Sequence, residues 1–167
     1  MSMPSTYTNE NKTGCCPVPN VTGWDKTEIK FENKRFIRLY TKSIMYVPIN
    51  IGKIMTKLDK CARDAEAILP VEHAMILSHD ISPWKAEQLY SVSKEVENAD
   101  NVVLDGNFLS LVFDGPYKDA PKWVQSIQAY AKEKGKEISD IYFFYTTCPK
   151  CAKVYGKNYT ICLGKIK

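Results

Sequence analysis

The sequence predicts an α+β fold built from two strand–helix–strand–strand units, with a mainly antiparallel sheet and two helices on one face. Three observations carry this. Helical periodicity of apolar residues occurs over about residues 51–69 and again over about 119–134. Each helical stretch follows a strand-like run and precedes two more, which alternate with period 2. Turn-forming residues (Pro48, Pro70, Gly115-Pro116, Gly135) fall at the joints between them. The repeated order indicates an internal duplication, although the halves share little residue identity.

Size and composition agree with one ordinary domain: 167 residues is enough chain for a proper core. The net charge of +4 is small and the lysines are spread out, which sets nucleic acid aside as a partner. No run approaches the roughly 20 apolar residues of a membrane span, so no membrane partner is expected. The polar N-terminus has no apolar signal core. The expectation is a cytoplasmic protein with its six cysteines reduced, which favours metal binding or thiol chemistry over a disulfide framework.

In chain order, residues 1–13 are rich in Ser, Thr and Asn and read as a flexible tail, leaving 14–167 as a single domain. The segment GCCPVP at 14–19 is too constrained by proline for a helix or central strand. With Trp24 in a turn-like GWDK, it reads as a leader laid across the domain body. The first repeat spans about 36–96. Residues 36–46 form a strand, Asn50 caps the helix of 51–69, and Pro70 stops it. Strands follow at 74–78 and 87–96, joined by a Ser82-Pro83-Trp84 turn. The second repeat spans about 102–166. A short strand at 102–104, an Asp105-Gly106 turn and a strand at 108–113 come first. Asp119 then caps a helix with Pro121 in its first turn, Trp123, Ile127, Tyr130 and Ala131 on one face, and Gly135 at its end.

The last stretch, 141–166, holds two strand-like runs around Cys148-Pro149-Lys150-Cys151. A strand entering TTCPKC resembles the active-site entry of glutaredoxin-type proteins, where a CxxC opens a helix. Chain order argues against that fold, because only 16 residues follow Cys151 and they carry a strand pattern.

Phe113-Asp114-Gly115-Pro116-Tyr117 ahead of a helix with Trp123, Tyr130 and Gly135 resembles the GyrI-like, or gyrase-inhibitor-like, small-molecule-binding domain. GCCPVPNVTGWDKTEI, LYSVSKEV, FDGPYKDAPKWVQ and YFFYTTCPKCAKVYGKNY together resemble one branch of it, whose members are often labelled simply hydrolase. The resemblance implies a pseudo-two-fold domain with an apolar pocket between the repeats. Relatives sense planar, often cationic drugs, inhibit gyrase, or open strained rings in DNA-alkylating natural products. In drug-sensing relatives a buried Glu on the last strand attracts cations. Here that strand, Asn158-Tyr159-Thr160-Ile161-Cys162, has no acid, and the pseudo-equivalent strand of the first repeat carries Glu87.

Two classes of function stay open. One is a domain that binds a hydrophobic aromatic small molecule and acts as a hydrolase without a Ser-His-Asp triad. Its pocket would draw on Trp84, Tyr90, Phe113, Tyr117, Trp123, Tyr142, Phe144 and Tyr159, with Glu87 and Tyr159 as catalytic candidates. The alternative reading of Phe113, Trp123 and Phe144 is plain core. The other class is a non-catalytic module that binds a protein partner. The cysteines allow three readings: a zinc or thiol contact joining Cys148 and Cys151 to Cys15 and Cys16, a reactive thiolate, or an inert turn. The first requires the leader to lie against the CxxC across about 130 residues of chain. Cys61 and Cys162 read as small buried hydrophobes.

Overall fold

The computed structural model describes residues 3–167. They divide into two compact units, one comprising the chain up to Phe31 together with Gly106–Lys167, the other Glu32–Asp105. The elements in order are α1 (Val21–Trp24), β1 (Thr27–Ile44), β2 (Val47–Pro48), α2 (Ile51–Asp64), β3 (Ile76–Ser82), β4 (Lys85–Ser91), β5 (Asn101–Asp114), α3 (Ala120–Glu133), β6 (Ile138–Tyr145), α4 (Pro149–Tyr155) and β7 (Tyr159–Ile166).

The duplication is visible in strand order. In Glu32–Asp105 the strands lie β1–β4–β3, and in the other unit β5–β7–β6, all antiparallel. In both, the first strand of the repeat pairs with the third, and the third with the second. Each repeat also covers one sheet face with its helix. Leu58 and Ala62 of α2 pack on Ile37, Val92 and Val96. Trp123 and Ile127 of α3 pack on Leu111, Phe143 and Cys162.

Both helices end in the same cap, and only one was legible. After α3, Gly135 adopts φ +68°. Its N–H donates to the Lys132 carbonyl and that of Lys136 to the Ala131 carbonyl, at 3.0 and 2.8 Å. After α2, Glu66 takes the same left-handed conformation at φ +54°. There Glu66 donates to Arg63 and Ala67 to Ala62, at 3.0 and 2.9 Å. This Schellman arrangement normally uses glycine, so a glutamate there gives no sequence signal. α2 therefore ends at Asp64, short of Pro70, while Ala67 remains buried in the same core.

Other boundaries moved for similar local reasons. β1 is longer than predicted and already includes the alternating Ile29 and Phe31, both buried. β4 ends at Ser91, and Val92 and Val96 reach the core from the segment beyond it. The expected Asp105-Gly106 turn is absent: β5 runs continuously and Gly106 accommodates an irregularity at φ +112°. Neither Asn50 nor Asp119 makes a side-chain cap bond, and the Asn50 Oδ1 instead accepts the Lys42 N–H at 2.9 Å.

The β1–β2 connection is a two-residue hairpin, since Ile44 pairs with Val47. Its central residues Met45 and Tyr46 both have positive φ, 48° and 71°. Asn-Gly is the pair that relieves such a turn, and side chains held in the left-handed region cost about 1–2 kcal/mol each.

The tail is seated. The Thr8 N–H donates to the Val18 carbonyl and the Val18 N–H to the Glu10 carbonyl, both at 2.8 Å. Thr6 is fully buried, and the Tyr7 hydroxyl donates to the Thr146 carbonyl at 2.8 Å. Trp24, also fully buried, donates from Nε1 to the Ser5 carbonyl at 3.0 Å. Composition marked residues 1–13 as loose because it cannot register these long-range bonds.

On the α3 side of the sheet, Gly164 leaves no room for a side chain. A Cβ there would stand 2.6 Å from Ile138 Cδ1 and 3.3 Å from Ile127 Cδ1. Gly164→Ala is expected to lower stability by about 1–3 kcal/mol in chemical denaturation, and by less in an Ile138→Ala background. Equal losses in the two backgrounds would show that this contact is not the cause.

Candidate functional site

Cys15, Cys16, Cys148 and Cys151 come together, their four Sγ atoms all lying within 4.8 Å of one another. Local chemistry on each side explains how. In the leader, Gly14 at φ +71° turns the chain, and Thr13 Oγ1 accepts the N–H groups of Cys15 and Cys16 at 3.2 and 3.3 Å. That turn brings the adjacent thiols to an Sγ–Sγ distance of 3.8 Å. On the other side, Cys148 is the cap residue of α4 and Cys151 lies in its first turn. The expected non-helical turn around the CxxC is thus a helix start, while the fold is not thioredoxin-like. Thr13 Oγ1 stands 3.2 Å from Cys151 Sγ, and the Tyr155 hydroxyl donates to the Cys16 carbonyl at 2.6 Å.

The thiols are not equivalent. The Thr13 hydrogen bond, helped by those of Cys148 and Cys16, lowers Cys151 to about 6. Burial, with the neighbouring thiols, raises Cys16 to about 12. For Cys15 the Cys16 hydrogen bond works downward, but the bond to Cys151 and its charge outweigh it and the thiol is raised. A tetrahedral ion with bonds of about 2.3 Å to sulfur needs S···S separations of about 3.8 Å, so modest contraction would complete the shell. Cys162 is fully buried and pushed up to about 12 by burial, in keeping with a packing role.

The aromatic candidates fall on opposite faces of β5–β7–β6. Phe113 stacks on Trp123 at 5.5 Å, and Trp123 meets Phe143 at 6.2 Å on the α3 side. Phe143 stacks on Tyr145 at 6.0 Å, and Tyr117 meets Tyr145 edge-on at 4.7 Å. This run leads from buried Trp123 out to exposed Tyr117. On the other face, Phe108 contacts Phe31 and Tyr142, and Phe144 takes the Tyr7 ring edge-on at 6.2 Å. Two openings adjoin this unit. A cavity of about 240 Å³ is lined by Tyr159, Tyr155, Lys12 and Pro19. A groove of about 430 Å³ is lined by Gly115, Pro116, Tyr117 and Asn158.

Glu87, Trp84 and Tyr90 belong to the Glu32–Asp105 unit. β4 lies between β1 and β3, so Glu87 is not on an edge strand, and its side chain is nearly buried. Its carboxylate accepts from Arg38 Nη1 at 3.1 Å and contacts His79 Nδ1 at 2.9 Å. Arg38 in turn donates from Nε to Asp100 at 2.9 Å. Tyr90 is three residues on and so faces α2, where its hydroxyl donates to Asp59 at 2.7 Å. Trp84 is largely exposed at the β3–β4 turn. Sequence reading missed Arg38, Asp100, His79, Thr13 and Tyr155, whose roles depend on distant pairings. The Thr-Gly-Cys-Cys order was the one local hint, as a threonine that can bind N–H groups two and three residues on.

Residues 6–166 match the family model described as bacterial hydrolase. The chain belongs to that family. No curated protein matches it. Among solved structures, the EcmrR C-terminal domain superposes with a TM-score of 0.68 at 10% identity, over 86% of this chain and 98% of that one. A hydrolase from Listeria innocua gives 0.63 at 9% identity, over 86% and 92%. SAV2435 bound to tetraphenylphosphonium gives 0.54 at 10% identity, over 84% and 93%. These likenesses establish the fold, which is the GyrI-like one expected from the sequence motifs.

His79 first, and then Arg38, hold the Glu87 carboxyl below the ordinary glutamate value despite burial. A carboxylate depressed in the folded state stabilises fully above its unfolded value, near 4.5, and the contribution is lost as pH falls through the folded value. Glu87→Gln should therefore cost about 1–3 kcal/mol at neutral pH, with the difference from wild type shrinking as pH falls below 4.5. A pH-independent difference in denaturation midpoint would contradict the ion-pair role.

Proposed function

We propose that this member of the bacterial hydrolase family binds a planar, hydrophobic aromatic small molecule, and that a zinc tetrathiolate fixes its leader. The observation carrying the ligand reading is the aromatic run from Trp123 to Tyr117 and Tyr145, which opens beside the 430 Å³ groove. Rings supply flat apolar area there, and Asn158 on the groove wall supplies a polar handle. The tetraphenylphosphonium held by SAV2435, of the same fold, supports an aromatic ligand. Glu87 is already ion-paired with Arg38 and in contact with His79, which supports a neutral ligand over a cationic one. Hydrolysis of a reactive electrophile is the chemistry the family description suggests. For it, Tyr159 offers a phenol on the wall of the 240 Å³ cavity.

The zinc half rests on the four sulfur positions. Zinc would deprotonate all four thiols and tie residues 15–16 to 148–151, a loop closure of about 130 residues that links folding to metal.

Titration calorimetry against a panel of neutral and cationic planar aromatics, tetraphenylphosphonium included, should find micromolar binding that Tyr117→Ala and Tyr145→Ala each weaken about tenfold, or about 1.4 kcal/mol. Unchanged affinity in both variants would remove this site, and uniformly tighter binding of cations would reverse the charge argument. For the metal, native mass spectrometry should show one zinc per chain. A chelator should lower Tm by several degrees, and Cys148→Ser should abolish both effects. Full Tm retention in chelator with zinc demonstrably removed would leave the cysteines as packing groups.

A further inference from the structure

A patch of exposed apolar side chains crowns two neighbouring turns of the Glu32–Asp105 unit. Ile44, Met45, Tyr46 and Val47 at the β1–β2 turn, and Ile81 and Trp84 at the β3–β4 turn, are each between 51% and 64% exposed. The turns are bound to one another: the Ser43 N–H donates to the Trp84 carbonyl at 2.8 Å and the Tyr46 N–H to the Pro83 carbonyl at 2.9 Å. The six side chains therefore form one surface, although about 40 residues separate the two turns in sequence.

The surface is set in positive charge. Lys42 and Lys85 are cross-strand partners just below the turns. Residues 41–58, which carry the hairpin and enter α2, contain Lys42, Lys53 and Lys57 and no Asp or Glu. Neither Lys42 nor Lys85 has a carboxylate in ion-pair range among the described residues, and Lys85 Nζ lies 4.1 Å over the Tyr40 ring. The acids nearest in sequence to the second turn are Asp80, on β3 before it, and Glu87, on β4 after it, which is paired with Arg38.

The turn residues themselves are informative. Folding alone would favour Asn-Gly at a two-residue hairpin where both φ angles are positive. Met-Tyr is a poor choice for that backbone and a good one for placing apolar bulk at the tip. We propose that this paired turn is a docking tip for an anionic phospholipid surface. Trp and Tyr favour the headgroup level, the aliphatic side chains enter the acyl boundary, and the lysines meet anionic headgroups. No helix is long and apolar enough to cross a membrane, so the contact would be peripheral. Charge complementarity and the placement of the apolar groups on chain reversals select lipid as the occupant. The backbone N–H groups of Ser43 and Tyr46 are already used between the turns, so they are not open to an added strand.

The test uses the full chain with vesicles of phosphatidylcholine alone or mixed with phosphatidylglycerol. Trp24 and Trp123 are buried, which leaves Trp84 as the emitter that senses the surface. The mixed vesicles should sediment the protein and shift its emission to the blue, with affinity at least about tenfold above phosphatidylcholine alone and falling with salt. M45N/Y46G should keep or raise Tm while losing about tenfold or more in vesicle affinity, which separates lost docking from lost folding. K42E/K85E should lose the preference for anionic lipid. Absence of binding and of any emission shift would overturn the proposal, as would wild-type affinity in M45N/Y46G. Concentration-dependent self-association that M45N/Y46G abolishes, without vesicle binding, would assign the patch to a second copy of the chain instead.

Discussion

The β5–β7–β6 sheet is apolar on both faces, and much of the chain's organisation follows from having to cover both. A helix stripe can bury only one side. On that side Trp123 and Ile127 meet Leu111, Phe143 and Cys162. The other side carries Phe108, Tyr142 and Phe144 and needs a second layer. The leader provides it, with Tyr7 against Phe144 and the Tyr7 hydroxyl bonded to Thr146. Leaving that face in water would cost on the order of 1.5–3 kcal/mol for each large apolar side chain, which is reason enough for residues with tail-like composition to be ordered.

The cysteine cluster sits where this cover is held at its far end. Thr13 organises Cys15 and Cys16 through their N–H groups and also contacts the Cys151 sulfur, so one hydroxyl links the leader turn to the start of α4. Tyr155, one helical turn further along α4, secures the same strand of leader by its carbonyl at Cys16. With thiols alone the four sulfurs form a weakly bonded packing group. With a soft divalent ion they would form a covalent-strength clasp between segments that are far apart in sequence.

The two repeats share topology and have diverged in chemistry. Their strand orders and helix caps correspond, yet one has an ion network in which buried Glu87 meets Arg38 and His79 and Arg38 reaches the exposed Asp100, and the other a run of contacting rings. A charge network around a buried carboxylate is sensitive to pH, whereas a ring stack is not. The ion network and the aromatic run are therefore held in different repeats.

The two long helices and the strands around them were readable from the sequence, whereas α1, β2, α4 and the continuity of β5 were not. The helical periodicity around Leu58 and Trp123, the period-2 alternation in 141–145 and the glycine at 135 are local signals, and local backbone physics sets what they form. The motif FDGPY and the paired cysteine segments likewise pointed to the fold and to a sulfur cluster. What sequence could not supply was every feature whose cause lies far along the chain. Glu66 behaves as a helix-ending residue because Ala67 is drawn into the core. Glu87 is matched to Arg38 and Asp100 by strand pairing, and Tyr90 is turned to the opposite face by the two-residue pleat. Residues 5–10 look disordered by composition and are ordered by partners at 18–20 and 146. The sequence by itself determined where the main helices and strands form. The tertiary structure decided which side chains meet, because pairing register and long-range burial belong to the whole chain.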